Sequence, residues 1–407
     1  MLKNYFKIAI AVLKRRKFFT FISLFGISFT LATLLVLTAF LDRIVNHEYP
    51  DAKRKQSLYI SGIEERGERA RSNSGLSISY IKRYVLPMKL PGAIAFSSRS
   101  NGTNTYFHGK KIGIDYKFVN SVFWDILEFD FLEGKPFTVQ QEKNLEKVAV
   151  ISQDLRDNYF GKDVPAVGQY LEANNEKYRV TGVVRNVPAS TYMLSSDMYI
   201  PYTLTKDDMN TPSYFGEYAA ILLAKKTSDI PAIKKEYEDI VRRVPHTQKR
   251  FLKTTSLADS YLDAYIRGGS QESKQKVWVY TALGIFISLI VFLPIVNLVN
   301  INVTRIMERS SEIGVRKAFG ATRKALVYQF IVENIILTLI GGLVGLVLAQ
   351  LVMIILNNAD LIKNLHLSLN FTVLFIGLLT CLVFGFLSGV YPAWRMSRFP
   401  IVKALKA

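Results

Sequence analysis

The sequence predicts a polytopic α-helical membrane protein with four transmembrane helices and one large α+β extracytoplasmic domain. Three observations predict it. Of the 407 residues, 49% are apolar and 21% charged, a mixture that suits a chain divided between lipid and water. Four segments, Phe18–Leu41, Val277–Val303, Leu326–Leu356 and Phe371–Tyr391, are apolar over the roughly 20 residues that a helix needs to cross a bilayer. The Lys and Arg residues gather beside particular ends of those segments.

That gathering sets the topology. Residues 1–17 carry Lys3, Lys7, Lys14, Arg15, Arg16 and Lys17. The connection between the second and third segments carries Arg305, Arg309, Arg316, Lys317, Arg323 and Lys324, and the tail carries Arg395, Arg398, Lys403 and Lys406. Against these 16 cations stand only Glu308 and Glu312, a net of +14, whereas the connection between the third and fourth segments has Lys363 alone. The positive-inside rule puts both termini and the 304–325 loop in the cytoplasm, and residues 42–276 and 357–370 outside. The whole-chain charge of +19 is thereby a sidedness signal, and nucleic-acid binding is not expected.

Each element follows in order. In residues 1–17, Leu2, Tyr5, Phe6, Ala9 and Leu13 recur at helical spacing opposite lysines. This reads either as a helix lying in the membrane interface or as an extension of the first span. The first span, 18–41, exceeds the apolar core of about 7–15 residues found in signal peptides, and "LTAFLDR" offers no small-x-small cleavage site. It is expected to be retained.

Within 42–276, "EKVAVIS" reads as a buried strand, and "SQDLRDNYFG" as a short helix with Ser152 as its cap and Gly161 as its stop. "QYLEANNEKYRVTGVVRNVP" reads as two strands around Asn174-Asn175, and "EYAAILLAKK" as a further strand. "SDIPAIKKEYEDIVRRV" has a capping serine, an early proline and Ile230, Ile233, Tyr237 and Ile240 at helical intervals. "RFLKTTSL" closes the domain as a strand. Lys53–Ser74, polar and charge-rich, is expected to be an exposed loop or hairpin. Gly268-Gly269 is expected to be a flexible joint before the second span, 277–303.

In that span Pro294 should kink the helix, and Asn297, Asn300 and Asn302 can hydrogen-bond between helices. The third span, 326–356, holds Gly341 and Gly345 as a G-x-x-x-G pair that lets helices approach closely, within the subunit or across a dimer. Glu333 is the one acidic or basic residue in the four spans, too few for a proton relay.

Catalytic patterns are missing. There is no G-x-x-x-x-G-K-[ST] phosphate loop, no G-x-S-x-G and no H-E-x-x-H. His47, His108, His246 and His366 lack ligand spacing, so no metal site is expected, and the single Cys381 excludes an internal disulfide. Asp125, Glu128, Asp130 and Glu133 form a carboxylate series of the sort that ordinarily lies in solvated strand and loop edges. No catalytic residue is assigned.

The 304–325 loop stands apart. Arg305, Arg309, Glu312, Arg316 and Arg323 fall on one face of a 3.6-residue period, and Met307, Ser311, Val315, Ala318 and Phe319 on another. Glu312 and Arg316 are in the favourable i,i+4 order. Gly314 and Gly320 can bend or end the helix, and Thr322 can cap the next. Two readings stay open on these residues alone: a solvated positive loop, or a docking element whose acids match charges on a partner.

"MERSSEIGVRKAFGATRKALVYQFIVENIILTLIGGLVGLVLA" closely resembles the signature of FtsX-like permease domains of ABC transporters. "LSGVYPAWRMSRFPIVKAL" resembles the close of that domain, and "LKNYFKIAIAVLKRRKFFTFISLFGIS" the start of MacB-type permeases. "DYKFVNSVFWDILEFDFLEGKPF", "KVAVISQDLRDNYFG" and "YRVTGVVRNVP" are similar to the MacB-like periplasmic core domain. The resemblance implies four spans, an FtsX-like domain over 277–400, a multi-pass protein of the bacterial inner membrane, and a homo- or heterodimer of permease subunits. It implies a partner ABC-type ATPase on a separate polypeptide that carries the ATP and Mg, with no cofactor bound by this chain. The ATPase contact, a coupling helix, maps onto Met307–Gly320: Met307, Glu308, Arg309, Glu312, Ile313, Gly314, Arg316, Lys317, Ala318 and Gly320. A periplasmic adaptor or envelope protein is a further partner class. The implied role is a non-enzymatic mechanotransmission subunit for efflux, lipoprotein release or a related envelope process. Two rivals are a membrane-anchored receptor without transport and a hydrolase using the outer carboxylates.

Overall fold

The computed structural model describes residues 17–45, 49–107, 110–188, 191, 193–209, 211–267, 271, 276–289, 292, 315, 319, 322–359, 367–368, 372, 375, 379 and 383. They fall into two compact units. One comprises Met1–Asp42, Thr281–Leu361 and His366–Ala407, and the other Arg43–Tyr280 with Ile362–Leu365.

Helix α1, Lys17–Val45, contains a stretch, Thr20–Asp42, long and apolar enough to cross a membrane. Phe21, Phe25 and Phe29 stack along one exposed face, with ring centroids 6.2 and 5.8 Å apart. The Thr30, Thr33 and Thr38 hydroxyls bond within the helix itself, as where Thr30 Oγ1 donates to the Gly26 carbonyl at 2.7 Å.

The second unit is an α+β domain. Its strands are β1 Ser57–Ile60, β2 Ile63–Arg66, β3 Arg71–Leu76, β4 Ala93–Ser98, β5 Asn101–Phe107, β6 Lys110–Val119, β7 Phe131–Gly134 and β8 Val148–Ser152. Helix α2, Gln153–Tyr159, follows β8. Then come β9 Tyr170–Ala173, β10 Glu176–Val184, β11 Met198–Pro201, β12 Phe215–Gly216 and β13 Tyr218–Leu223. Helix α3, Ile230–Arg243, β14 Lys253–Ser256 and helix α4, Tyr261–Arg267, complete it. The strand order is β14-β2-β3-β13-β4-β6-β11-β8-β10-β7, with β1 on β13, β12 on β3, β5 on β6 and β9 on β10. Pairing is antiparallel except for β8 with β10 and β6 with β11.

Local chemistry explains the elements. Every residue of β8 is buried, as its Val/Ile run requires. Ser152 Oγ accepts from the Leu155 N–H at 3.1 Å and so caps α2. Asn174 and Asn175 both take positive φ, the conformation a two-residue hairpin turn demands, and join β9 to β10. In α3, Ile233, Tyr237 and Val241 turn into a core with Leu58, Ile63 and Phe96. The cap of α3 differs from the expected serine. Ser228 lies in a 3₁₀ turn, Thr227–Asp229, and Asp229 accepts from the Lys226 N–H at 3.2 Å.

Lys53–Ser74 also departs from expectation. Its hairpin exists as β2 and β3, but β1 is wholly buried and so are Glu64 and Glu65. Partners distant in sequence make that burial affordable: Glu65 accepts from the Thr247 N–H at 2.8 Å and from the Thr247 hydroxyl.

Helix α5, Arg323–Asn358, contains a second stretch able to cross a membrane, Ile331–Asn358. Of the other two expected spans, Lys276–Leu289 is a shorter apolar helix, and the last is described only at Thr372, Phe375, Leu379 and Val383, all helical. Gly268-Gly269 lies outside the described residues.

Candidate functional site: a glycine seam and the root of the outer domain

Most of the expected coupling helix lies outside the described residues: Met307, Glu308, Arg309, Glu312, Ile313, Gly314, Arg316, Lys317, Ala318 and Gly320, as does Pro294. Within that segment Val315 and Phe319 are described. The Phe319 N–H donates to the Val315 carbonyl at 3.0 Å, a helical i,i+4 bond, and the Phe319 ring is 88% exposed.

Gly341 and Gly345 are buried on α5 and face α1. A Cβ on Gly341 would stand 2.8 Å from Ile27 Cγ2, and one on Gly345 would stand 2.8 Å from the Ser28 carbonyl oxygen. The seam is therefore closed to any side chain at either position. Ser28 Oγ donates to the Gly341 carbonyl at 2.8 Å, a polar bond of the kind that ties helices in lipid. Ile27, Ile336 and Leu337 pack beside it. Glu333 is buried on the same helix.

In the outer unit, the chain entering after α1 and the chain leaving toward the 276–289 helix meet in one buried cluster. On the entering side, Arg54 Nε donates to Asp51 Oδ2 at 2.9 Å, with side-chain exposures of 3% and 0%. The Tyr59 hydroxyl also donates to Asp51 Oδ2. Burial, then the Asp51 charge, pushes the Tyr59 hydroxyl well above the ordinary tyrosine range, so it stays a donor.

The leaving side is bound to the same residues. Tyr59 exchanges two backbone hydrogen bonds with Asp259, at 2.8 and 3.0 Å. The Arg54 guanidinium lies 3.9 Å from the Tyr261 ring centre, and the Tyr59 and Tyr261 rings meet edge to face at 5.2 Å. Asp259 Oδ2 then forms an ion pair with Arg267, 2.6 Å from Nε. Asp263 accepts from Lys276 Nζ at 2.6 Å and from the Tyr280 hydroxyl at 2.9 Å. Burial raises the Asp259 carboxyl, with Arg267 and Lys234 offsetting part of the rise. At Asp263 burial acts the same way but is outweighed by Lys276 and Tyr280, which hold that carboxyl below the ordinary aspartate range.

The entering segment is also fastened on its other flank. The Tyr49 hydroxyl donates to the Arg185 carbonyl at 3.0 Å, the Arg185 guanidinium lies 4.1 Å from the Tyr49 ring centre, and Lys53 pairs with Glu128 at 3.3 Å. The carboxylate series singled out in the sequence is spent on such pairs: Asp130 with Arg185 at 3.0 Å and Glu133 with Arg156 at 2.7 Å, while Asp125 is exposed. Among the described residues, no group of three or more His, Cys, Asp or Glu could hold a metal ion.

The family model of the MacB-like periplasmic core domain matches residues 20–240, and that of the FtsX-like permease C-terminal domain matches residues 284–401. The chain belongs to the MacB-type, FtsX-like family of ABC transporter permeases. The permease is 25% identical over 315 residues to the uncharacterized ABC transporter permease YknZ of Bacillus subtilis, covering 76% of this chain and 74% of that one. It is 26% identical over 286 residues to the pyoverdine export ATP-binding/permease protein PvdT of Pseudomonas syringae pv. syringae, covering 69% of this chain and 41% of PvdT. With PvdT of Pseudomonas entomophila the identity is 26% over 356 residues, covering 86% and 51%. The permease thus spans about half or less of the length of these PvdT relatives.

Among solved structures, the periplasmic region of MacB from Actinobacillus actinomycetemcomitans aligns at 15% identity and a TM-score of 0.35, covering 49% of this chain and 88% of that one. The extracellular domain of YknZ aligns at 17% identity and a TM-score of 0.36, covering 48% and 99%. Members of the family are generally non-catalytic subunits that work with an ATPase.

Sequence reasoning missed the root cluster. Its signal was faint: charged and aromatic residues within a few positions of the domain's two ends, with nothing to pair Arg54 with Tyr261 across two hundred residues.

Proposed function

We propose that this permease is the transmembrane subunit of an ABC-type export or mechanotransmission complex. ATP hydrolysis, with its Mg, takes place on a separate ATPase, and the permease converts it into movement of its outer domain. In this reading both termini and the 304–325 loop are cytoplasmic, the subunit acts as a dimer in the bacterial inner membrane, and Met307–Gly320 is the ATPase contact. The process served is efflux, lipoprotein release or a related envelope function, with an adaptor or envelope protein as a further partner.

The observation that carries the reading is the pair of family matches, which together take in the outer domain and the C-terminal spans. The root cluster supports it physically. Both chain connections of the outer domain end in one connected set of ion pairs and rings, buried at Asp51 and Arg54, so a displacement of either connection is delivered to the domain as a whole.

Co-purification of the full-length permease with its soluble ATPase tests this. Glu312→Ala, Arg316→Ala and Gly314→Pro should each weaken capture of the ATPase about tenfold, or about 1.4 kcal/mol of contact energy, and lower coupled ATP hydrolysis. If all three leave both intact, the coupling-helix assignment is wrong.

A further inference from the structure

The sheet is interrupted where β4 gives way to β5. Both strands pair with β6, β4 through Ser97 and Val119 and β5 from Asn101 and Tyr116 onward. Between those two pairs stand Ser98, Arg99 and Ser100 on one strand but Lys117 and Phe118 on the other, so one residue is extra, which makes a β-bulge. The Ser98 hydroxyl accepts from the Phe118 N–H at 3.0 Å and donates to the Arg99 carbonyl at 2.7 Å. A side chain thus takes up an N–H that the bulge removes from the ladder.

A cleft of about 240 Å³ opens beside the bulge, with Ser98, Tyr116, Phe118 and Tyr178 in its lining. Phe118 packs against two cores of the domain, one holding Leu58 and Phe96 and the other Ile151 and Val180, so the cleft lies where they meet. Junctions between packed bodies are a usual setting for ligand sites, and bulges often re-aim side chains beside such sites.

The lining is of two kinds. One is aromatic: Tyr116 and Phe118, two positions apart on β6 and so on one face, meet edge to face at 5.6 Å, and Tyr178 on β10 is buried. The other is a polar rim. Asn101, Asn174 and Thr205 supply neutral donors and acceptors, while Lys147 pairs with Glu176, and Arg99 with Glu217 at 3.5 Å. Asp207 lines the cleft too. Burial, then the Asp207 charge, raises the Tyr116 hydroxyl, which stays a donor.

This lining selects by exclusion. An ion would meet both signs of charge, and a zwitterion would have to displace partners that the rim residues already give one another. A hydrocarbon would cover the rim's polar groups and return no hydrogen bond, which is costly. A neutral molecule with an apolar face and a girdle of hydroxyls suits both kinds of lining. We propose that the cleft binds a saccharide ring, its C–H face against Tyr116 and Phe118 and its hydroxyls on Asp207, Asn101 and Thr205. The volume equals about eight waters at roughly 30 Å³ each, which suits a single ring better than a drug-sized ligand. The site is independent of how the spans engage an ATPase.

Saturation-transfer NMR on the full-length permease, in a deuterated zwitterionic detergent that carries no sugar, tests this with maltotriose and the trimer of N-acetylglucosamine as probes. Saturable transfer to ring C–H protons of at least one sugar is expected. Tyr116→Ala and Asp207→Ala should each weaken binding about tenfold, and Tyr116→Phe, which keeps the ring, should weaken it less. Asp207 is exposed, so its replacement decides the matter if Tyr116→Ala fails to fold. No transfer to either sugar overturns the proposal, as does transfer that Asp207→Ala and Tyr116→Ala leave unchanged. Trialanine displacing the sugar at equal or lower concentration would also overturn it, because the cleft would then read a peptide zwitterion.

Discussion

Between α1 and α5 the contact is made by what the side chains lack. Gly341 and Gly345 present bare backbone to Ile27 and Ser28, and the Ser28 hydroxyl adds a bond to the Gly341 carbonyl. At the root of the outer domain the contact is made by large, polar side chains: Asp51, Arg54, Tyr59 and Tyr261 fill a buried site with charge and aromatic rings. The difference follows from the solvent each region gives up. Helices already surrounded by lipid gain nothing from hiding apolar area, so close backbone approach and dispersion must hold them. A domain folding in water gains from burying tyrosine rings, and it can bury an ion pair only if each charge keeps its partners.

The comparison breaks most visibly at Asp51. Asp51→Ala removes the carboxylate that receives both Arg54 and Tyr59, and breaking a buried pair in this way costs about 3–5 kcal/mol. Hydrogen exchange on the full-length permease should show segments 49–60 and 259–267 opening together, while β8 stays protected. Adding Arg54→Met should recover much of the loss, because the penalty comes from a buried charge deprived of its counter-ion. If only 49–60 opens, the entering and leaving chains are not held by one cluster.

At the seam the expected effect is smaller, and the two glycines should behave differently. Gly341→Ala sets a methyl 2.8 Å from Ile27 Cγ2, and removing that branch by Ile27→Ala should offset part of the clash, whereas Ile27→Val, which keeps Cγ2, should not. Gly345→Ala sets a methyl against the Ser28 backbone, which no side-chain change can move aside. Overpacking of this kind costs about 1–3 kcal/mol, read as a lower thermal midpoint in detergent. A side-chain rescue of Gly345→Ala equal to that of Gly341→Ala would contradict the close approach of α5 to the α1 backbone.

What was legible in the sequence divides along the same line. β8, the Ser152 cap, the Asn174-Asn175 turn and the buried face of α3 were legible because each is written in a few consecutive residues. Lys53–Ser74 was not. Its acids look solvated until Thr247, nearly two hundred residues away, supplies the donors that let Glu65 be buried. The root cluster was illegible for the same reason. Gly341 and Gly345 were legible as a motif, but which helix they meet depends on packing that spacing alone does not encode. The expected coupling residues, Met307 to Gly320, are the reverse case: a distinctive sequence pattern described in the structure only at Val315 and Phe319.

The smallest expected effect sharpens the rule for burying charge in water. Lys117 on β6 is buried, and its Nζ donates to the Met193 carbonyl at 2.9 Å. Burial lowers its ammonium from the ordinary 10.5 to about 7, with Asp115 opposing the shift. Between those two values the unfolded chain holds a proton that the folded chain has released, so stability rises with pH across that interval and levels off below about 7. Lys117→Met should remove that slope. Near neutral pH it should stabilise the outer domain by about 1 kcal/mol, the low end for replacing a buried charge with a hydrophobe, because the Met193 carbonyl loses its donor. The gain should shrink as pH rises toward 10.5 and level off only above it, where the lysine is neutral in both states. Thermal unfolding followed by tryptophan fluorescence at neutral and alkaline pH reads the difference. A gain that does not change with pH would mean that Lys117 folds with its proton in place and that Met193, not titration, governs its cost.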